Sequence, residues 1–529
     1  MGTVLLIKLL AMSLPAWADD FSSLVSALGG DSFAEKEQAV LALGKLGDTR
    51  VARVLTALRD GHLEKAADGR VIIAEGATAI DAISGAEIPK GIEAGQRIRV
   101  NNRLRGAIEG ALGALTLFSP DAGARLAAAQ DALRYPSADQ AALLEKALGA
   151  ERNPEIRAAM EQSLAAARLV SGGKEERLAA ARALSTTTDP QVKSLLDQVR
   201  AAPDVDPDVQ RAADAALASI ENRLRMVALA ASLFQGISLG SILLLAAIGL
   251  AITFGVMGVI NMAHGEMIML GAYCAFICQQ FFRAFLPPGW IDAYLVFAVP
   301  VAFLFTGLVG VALERSVIRF LYGRPLETLL ATWGVSLILQ QAVRSVFGSP
   351  NKEVANPSWM TGGFDPIGGL TITWNRLVII FFCFIVLGVL ALILSRTNFG
   401  LHMRAVTQNR AMASVMGIRT ARVDALTFGL GSGIAGMAGV ALSQIGNVSP
   451  NLGTVYIVDS FLVVVFGGVG NLMGTLVGAL SLGIVNKFLE PVAGAILGKI
   501  VVLVAIILFI QRRPRGLFAL KGRTAEAEA

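Results

Sequence analysis

Residues 229–256 read LAASLFQGISLGSILLLAAIGLAITFGV, an unbroken run without a single charged side chain. About 20 apolar residues in a helix cross the roughly 30 Å of hydrocarbon in a bilayer, so this run predicts a membrane span. Toward the C-terminus, further apolar runs stand at 262–282, 291–313, 326–347, 376–395, 423–446, 472–489 and 494–511. A shorter run at 456–466 ends at Gly467-Gly468 and reads either as a crossing or as a re-entrant half-helix. In the second case it must be buried in protein, because hydrocarbon satisfies no backbone polar group.

Toward the N-terminus the character changes. Residues 1–225 hold 27 Lys/Arg and 30 Asp/Glu, whereas residues 226–529 hold 19 and 11. The 529-residue chain is 54% apolar with a mean hydropathy of +0.60, and its net charge of +5 comes from the second part alone. That basic excess lies between and after apolar runs, where it reports membrane orientation rather than nucleic-acid binding. The expected fold is all-α: a polytopic bundle of about eight to ten spans over residues 226–520 with a tail at 521–529. A water-soluble helical domain over 19–225 precedes it.

Short loops rich in Lys and Arg stay in the cytoplasm. Arg315, Arg319 and Arg324, the five arginines of 396–422, and Arg512, Arg513, Arg515, Lys521 and Arg523 make up 13 of the 19 basic residues of this part. Counting 456–466 as a crossing puts all three segments on one side, the C-terminus inside and residues 19–225 outside. Residues 351–372 become an exterior loop. The opening MGTVLLIKLLAMSLPAWA, residues 1–18, ends in a small-x-small site and predicts a secretory leader, with an uncleaved anchor as the alternative.

In 31–58, Ala39, Leu43 and Leu46 share one helical face, and Val51, Val54, Leu55 and Leu58 share another across a Gly-Asp turn. Such helix pairs return at 126–148, 156–169 and 178–217, the last broken at Pro190, Pro203 and Pro207. Tandem pairs of this kind resemble HEAT-like repeats, in which each pair buries its apolar face only by stacking on the next. Residues 69–100, rich in Gly and β-branched side chains, predict a few strands or an extended insertion. Asp204, Asp206 and Asp208 lack the Gly and closing Glu of a calcium loop and read as a solvated interhelical turn.

Chemistry of its own is not expected from this chain. Cys274, Cys278 and Cys383 sit in apolar runs and suggest neither disulfides nor a metal site. His62 and His402 have no nucleophile at a recognisable spacing. Gly44-Lys45, Gly173-Lys174 and Gly498-Lys499 are each followed by a residue other than Ser or Thr, so no phosphate loop is present and nucleotide hydrolysis must come from elsewhere.

Polar groups at membrane depth cost several kcal/mol unless they face a cavity or one another. Asn261, His264 and Glu266 in GVINMAHGE, together with Thr253, are therefore the candidate lining of a solute path. If helical, Asn261 and His264 share a face; the alternative is that they cap a helix junction and bond each other. Residues 401–416, with Val406, Ala413, Val415 and Met416 among Arg404, Gln408 and Arg410 and ending at Gly417, predict one short amphipathic helix able to dock on a partner. Gly470, Gly474 and Gly478, and the pairs Gly429/Gly433 and Gly236/Gly240, predict close helix packing.

Residues 232–520 resemble the permeases of the branched-chain amino-acid and urea ABC importer family. The resemblance is carried by GVINMAHGEMIMLGAY, LERSVIRFLYGRP, FGLHMRAVTQNRAMASVMGIRTARV and FGGVGNLMGTLVGA. Met262 departs from the Phe usual in the first motif. The resemblance implies a bacterial inner-membrane permease working with a second permease subunit, two ATP-binding subunits that carry the ATP, and an extracytoplasmic binding protein. In it, Arg404, Gln408, Arg410, Met416 and Gly417 would form the segment that couples to the ATPase. The N-terminal extension and the ending RPRGLFALKG resemble the urea-type members, so urea is the expected solute and a branched-chain amino acid the alternative. A channel independent of ATP is the rival class, distinguished by uptake that persists without an ATPase.

Overall fold

The computed structural model describes residues 17–518 apart from 47–48, 76–77, 89–94 and 367. Most of the expected leader and all of the tail at 521–529 lie outside the described residues. The chain divides into two compact units, Met1–Leu224 and Arg225–Ala529.

The first unit begins with α1 (Trp17–Leu28), α2 (Phe33–Leu46) and α3 (Thr49–Asp60). The apolar faces read from the sequence are inside: Leu43, Val51, Leu55 and Leu58 are fully buried. Five short strands follow, β1 (Leu63–Lys65), β2 (Val71–Glu75), β3 (Thr78–Asp81), β4 (Glu87–Ile88) and β5 (Gln96–Arg97). They pair antiparallel in the order β4-β3-β2-β1-β5, with Leu63 opposite Ile73. Leu63, Val71 and Ile73 project from this sheet into the core of α1–α3 and the next helix, α4 (Asn102–Thr116).

Helices then alternate with turns: α5 (Ala122–Arg134), α6 (Ala138–Ala150), α7 (Pro154–Ser171), α8 (Lys174–Leu184), α9 (Pro190–Ala201) and α10 (Pro207–Met257). Their starts are dictated locally. Asp121, Asn153 and Asp189 accept hydrogen bonds from the first free backbone N–H groups, and Pro154, Pro190 and Pro207 occupy the first helical position, where a missing N–H costs nothing. The Asp206 and Asp208 carboxylates both contact Lys174 Nζ, at 2.9 and 2.5 Å, so this acidic turn ties two helices together.

The second unit contains the later part of α10, then α11 (His264–Phe285), α12 (Tyr294–Ser316), α13 (Pro325–Phe347), strands β6 (Gly363–Phe364) and β7 (Ile372–Thr373), α14 (Trp374–Arg396), α15 (Asn398–Gln408), α16 (Arg410–Val415), α17 (Thr420–Ser443), α18 (Leu452–Gly467) and α19 (Leu472–Arg512). Six helices among the described residues are long and apolar enough to cross a membrane, and the shorter α18 is apolar as well. The bundle is thus all-α and polytopic. The runs at 472–489 and 494–511 are two helices within α19 that meet at the non-helical Gly494 (φ 76°), just after Pro491. The chain beyond the second returns to the segment just before the first, where Leu517 N and Phe518 N donate to the Phe466 and Gly467 carbonyls. The 326–347 run becomes α13, which is long enough to span but carries a polar stripe that sets it apart from those six.

Glycine places the helices. α17 is almost wholly buried, and Gly429, Gly431, Gly433, Gly436 and Gly439 let its backbone meet α12, α10 and α11 directly. A Cβ on Gly429 would sit 2.7 Å from a Val311 methyl and 3.2 Å from the Gly307 carbonyl oxygen. Gly474 and Gly478 pack on α18 around Val463 and Gly467. Gly470 does not continue that helical stripe: it lies in the preceding turn with φ 77° and abuts Gly255 of α10.

Candidate solute path and docking segment

α10 ends at Met257 because Gly258 takes a left-handed φ of 64° and returns its N–H to the Phe254 carbonyl. The chain then doubles back. His264, at the start of α11, contacts the Ala246 carbonyl through Nε2 at 2.9 Å, and Ala246 lies 11 residues before the end of α10, roughly 16 Å along its axis. Residues 258–263 are therefore non-helical backbone within the bundle. Such backbone must find partners inside the protein. The Asn261 side-chain oxygen accepts from Ala263 N at 3.0 Å, and Met262 N donates to Thr332 Oγ1 at 3.1 Å.

Asn261 is thus not on a helix with His264; the two meet at the helix junction, where His264 N donates to the Asn261 carbonyl at 3.3 Å, and their side chains do not bond each other. His264 and Glu266, two residues apart on α11, project to opposite sides. His264 faces α10, where a Cβ on Gly249 would stand 2.8 Å from its ring. Glu266 faces α13: its Oε1 accepts from Ser336 Oγ and Gln340 Nε2, both at 2.8 Å. Thr253 is fully buried and donates to the Gly249 and Leu250 carbonyls of its own helix, with its methyl group against Gly431.

A feature not singled out from the sequence emerges on α13. Thr328, Thr332, Ser336 and Gln340 recur every four residues and are all buried. They form one polar stripe in an otherwise apolar helix, and the last three bond residues 260–266. The i, i+4 spacing in the sequence was the available signal. Three polar atoms of the neighbouring segment, Asn261 Nδ2, His264 Nδ1 and Glu266 Oε2, are buried and find no hydrogen-bond partner among the described residues.

The docking segment is two helices, not one. Asn409 breaks it with an extended backbone (φ −157°, ψ 101°) and its side chain accepts from Met412 N at 2.9 Å, starting α16 afresh. Val406 and Ala413 are buried, whereas Met412, Val415 and Met416 are exposed, so the expected single apolar face is divided between an anchoring and an outward set. Gly417 (φ 87°) closes the turn. Gln408 is exposed, and Arg404 donates to the Leu394 carbonyl.

Arg410 does more than flank the segment. Its guanidinium bonds both oxygens of Asp424, a fully buried carboxylate at the start of α17, and stacks 4.7 Å from the Tyr322 ring. The Tyr322 hydroxyl donates to Glu314 at 2.8 Å. One side chain therefore links α16 to α17 and to the α12–α13 turn. Asp424, Tyr322 and Glu314 were not read from the sequence; an acid at the edge of the apolar run 423–446 was the visible sign.

A glycine-packed helical bundle with irregular backbone and buried polar groups in its interior is the architecture of a membrane permease. The family model described as "Branched-chain amino acid transport system / permease component" matches residues 232–510, and the chain belongs to that family. It is 32% identical over 291 residues to the high-affinity branched-chain amino acid transport system permease protein BraD of Pseudomonas aeruginosa, covering 54% of this chain and 94% of that protein. It is also 32% identical over 295 residues to LivH of Escherichia coli K12, with the same name and the same shares. A shorter likeness, 30% over 132 residues, links it to the ribose import permease protein RbsC of Bacillus subtilis, covering 23% of this chain and 41% of that protein.

Proposed function

We propose that this chain is the membrane subunit of an ATP-driven importer, forming part of the solute path while separate subunits hydrolyse ATP. The observation that carries the reading is the docking segment: Met412, Val415 and Met416 stand exposed on a short helix whose base is fixed into the bundle through Arg410 and Asp424. An exposed apolar cluster on a rigid mount suits a protein partner. The expected assembly adds a second permease subunit, two ATP-binding subunits and an extracytoplasmic binding protein, in a bacterial inner membrane. The Lys/Arg distribution supports a reading in which α15–α16 and the C-terminus are cytoplasmic and residues 19–225, read as HEAT-like helix pairs, are outside.

For the solute, the names of BraD and LivH support a branched-chain amino acid. Urea is the second reading. It is favoured by the helical unit before residue 232, which lies outside the family match, and by the ending RPRGLFALKG. Uptake of radiolabelled leucine and of urea by proteoliposomes holding the assembled transporter decides between them. ATP-dependent uptake of either supports the importer, and uptake of both that continues without ATP would replace it with a channel.

A further inference from the structure

We infer that the solute passes along the seam between α11 and α13, exchanging its own hydrogen bonds for those that zip α13 onto residues 260–266. The inference rests on the importer reading and names the elements that must part.

The seam differs in kind from the contacts that α17 makes with its neighbours. α17 meets α11 and α12 backbone to backbone, at Gly436 against Gly271 and Gly429 against Gly307, so those helices separate only by losing close packing along their length. α13 instead meets residues 260–262 through Thr332, and α11 through Ser336 and Gln340 on Glu266 and through the tilted ring pair of Phe347 and Tyr273, 4.7 Å apart. Its opposite face, with Leu326, Leu330, Ile338 and Val346, is exposed. Hydrogen bonds can be replaced one for one by a solute that offers the same groups, whereas lost apolar packing cannot.

The polar atoms left over indicate which groups. Asn261 and Glu266 are 2% and 1% exposed, and each keeps one atom, Nδ2 and Oε2, without a partner among the described residues. One is a donor and one an acceptor. They belong to the stretch that binds Thr332 and Ser336, one helical turn apart on α13. Together they complement a small solute bearing N–H donors beside a carbonyl or carboxylate, which is the chemistry of an amide or an amino acid. His264 projects to the far side of α11, holds α10, and has no part in this seam.

The test is a reversible bridge across the seam at residues outside the stripe. Tyr273→Cys with Phe347→Cys, in a chain whose Cys274, Cys278 and Cys383 are replaced by alanine, is joined by a short reducible bis-thiol reagent in the full transporter in proteoliposomes. The bridge should lower ATP-driven uptake at least ten-fold, and reduction should restore it. Ser336→Cys should also be alkylated several-fold more slowly when leucine or urea saturates transport. Undiminished uptake through the bridged protein, or alkylation indifferent to both solutes, overturns the seam while leaving the importer intact. Absence of ATP-driven uptake in the unbridged protein overturns the importer reading and the seam with it.

Discussion

Many charged side chains in Met1–Leu224 pair at the surface, as Arg157 does with Glu161 and Arg134 with Asp131, each more than half exposed, with Glu151 buried against Arg125 as an exception. In Arg225–Ala529 the same chemistry is taken inside: Asp424 is wholly buried against Arg410, and Glu266 against Ser336 and Gln340. Exposed pairs contribute about 0–1 kcal/mol, while breaking a buried pair costs about 3–5 kcal/mol because a charge is left stranded. Individual glycines differ as sharply. Gly113 of α4 has nothing within 4 Å of where a Cβ would stand, whereas Gly271 of α11 lies against the Gly436 backbone. Polarity and small size are thus incidental at these positions of the first unit and positional at those of the second.

The largest effect expected from this contrast is asymmetric. Arg410→Ala strands the Asp424 carboxylate and should destabilise the membrane unit by about 3 kcal/mol. Asp424→Ala should cost clearly less, because Arg410 is 44% exposed and reaches water. Thermal unfolding of the purified chain in detergent reads both, and equal losses would break the distinction. Next, Gly271→Ala should destabilise by about 2 kcal/mol through overpacking of α11 on α17. In the first unit, Asp121→Ala removes the side-chain cap of α5 and should cost about 1 kcal/mol, seen as faster amide exchange in its first turn. Gly113→Ala should have the opposite sign to Gly271→Ala, stabilising by about 0.5 kcal/mol.

The last expectation concerns pH. Arg125 and the Asn153 and Arg152 backbone N–H groups hold the Glu151 carboxyl down at about 2, from an ordinary value near 4.5. A lowered carboxyl contributes stability that is complete above its unfolded value and is lost as pH falls from about 4.5 through 2. Amide exchange in α5 and α7, corrected for its intrinsic pH dependence, should accelerate over that window in the native chain and much less in Glu151→Gln.

The contrast also shows what a sequence makes legible. The spans were readable because uninterrupted apolar runs such as 229–256 have one physical solution in lipid. The helix faces of Leu43, Val51, Leu55 and Leu58 were readable from period alone. Among the glycines, 474 and 478 behave as their spacing suggests, but 470 does not, because spacing cannot show that a left-handed φ has ended the helix. Residues 401–416 misled for a similar reason: Asn409 suits a helix interior poorly but an N-cap well, and only tertiary anchoring by Arg410 selects the break. Asn261, His264 and Glu266 were visible as polar residues at membrane depth. That His264 and Glu266 serve opposite faces follows from where the helix begins, which no spacing within GVINMAHGE states. The α13 stripe was present as Thr328, Thr332, Ser336 and Gln340, and its partner across the bundle was not.

The claim on which the rest depends is that this bundle moves solute only when a separate motor works on α15 and α16. Proteoliposomes containing the chain with its co-purified subunits, loaded with labelled leucine or urea outside and ATP on the side of Met416, test it directly. Accumulation against a gradient that stops when ATP is withheld, and that Met416→Glu lowers several-fold, is the predicted result. Equal accumulation with and without ATP, or with the docking helix so altered, would contradict it.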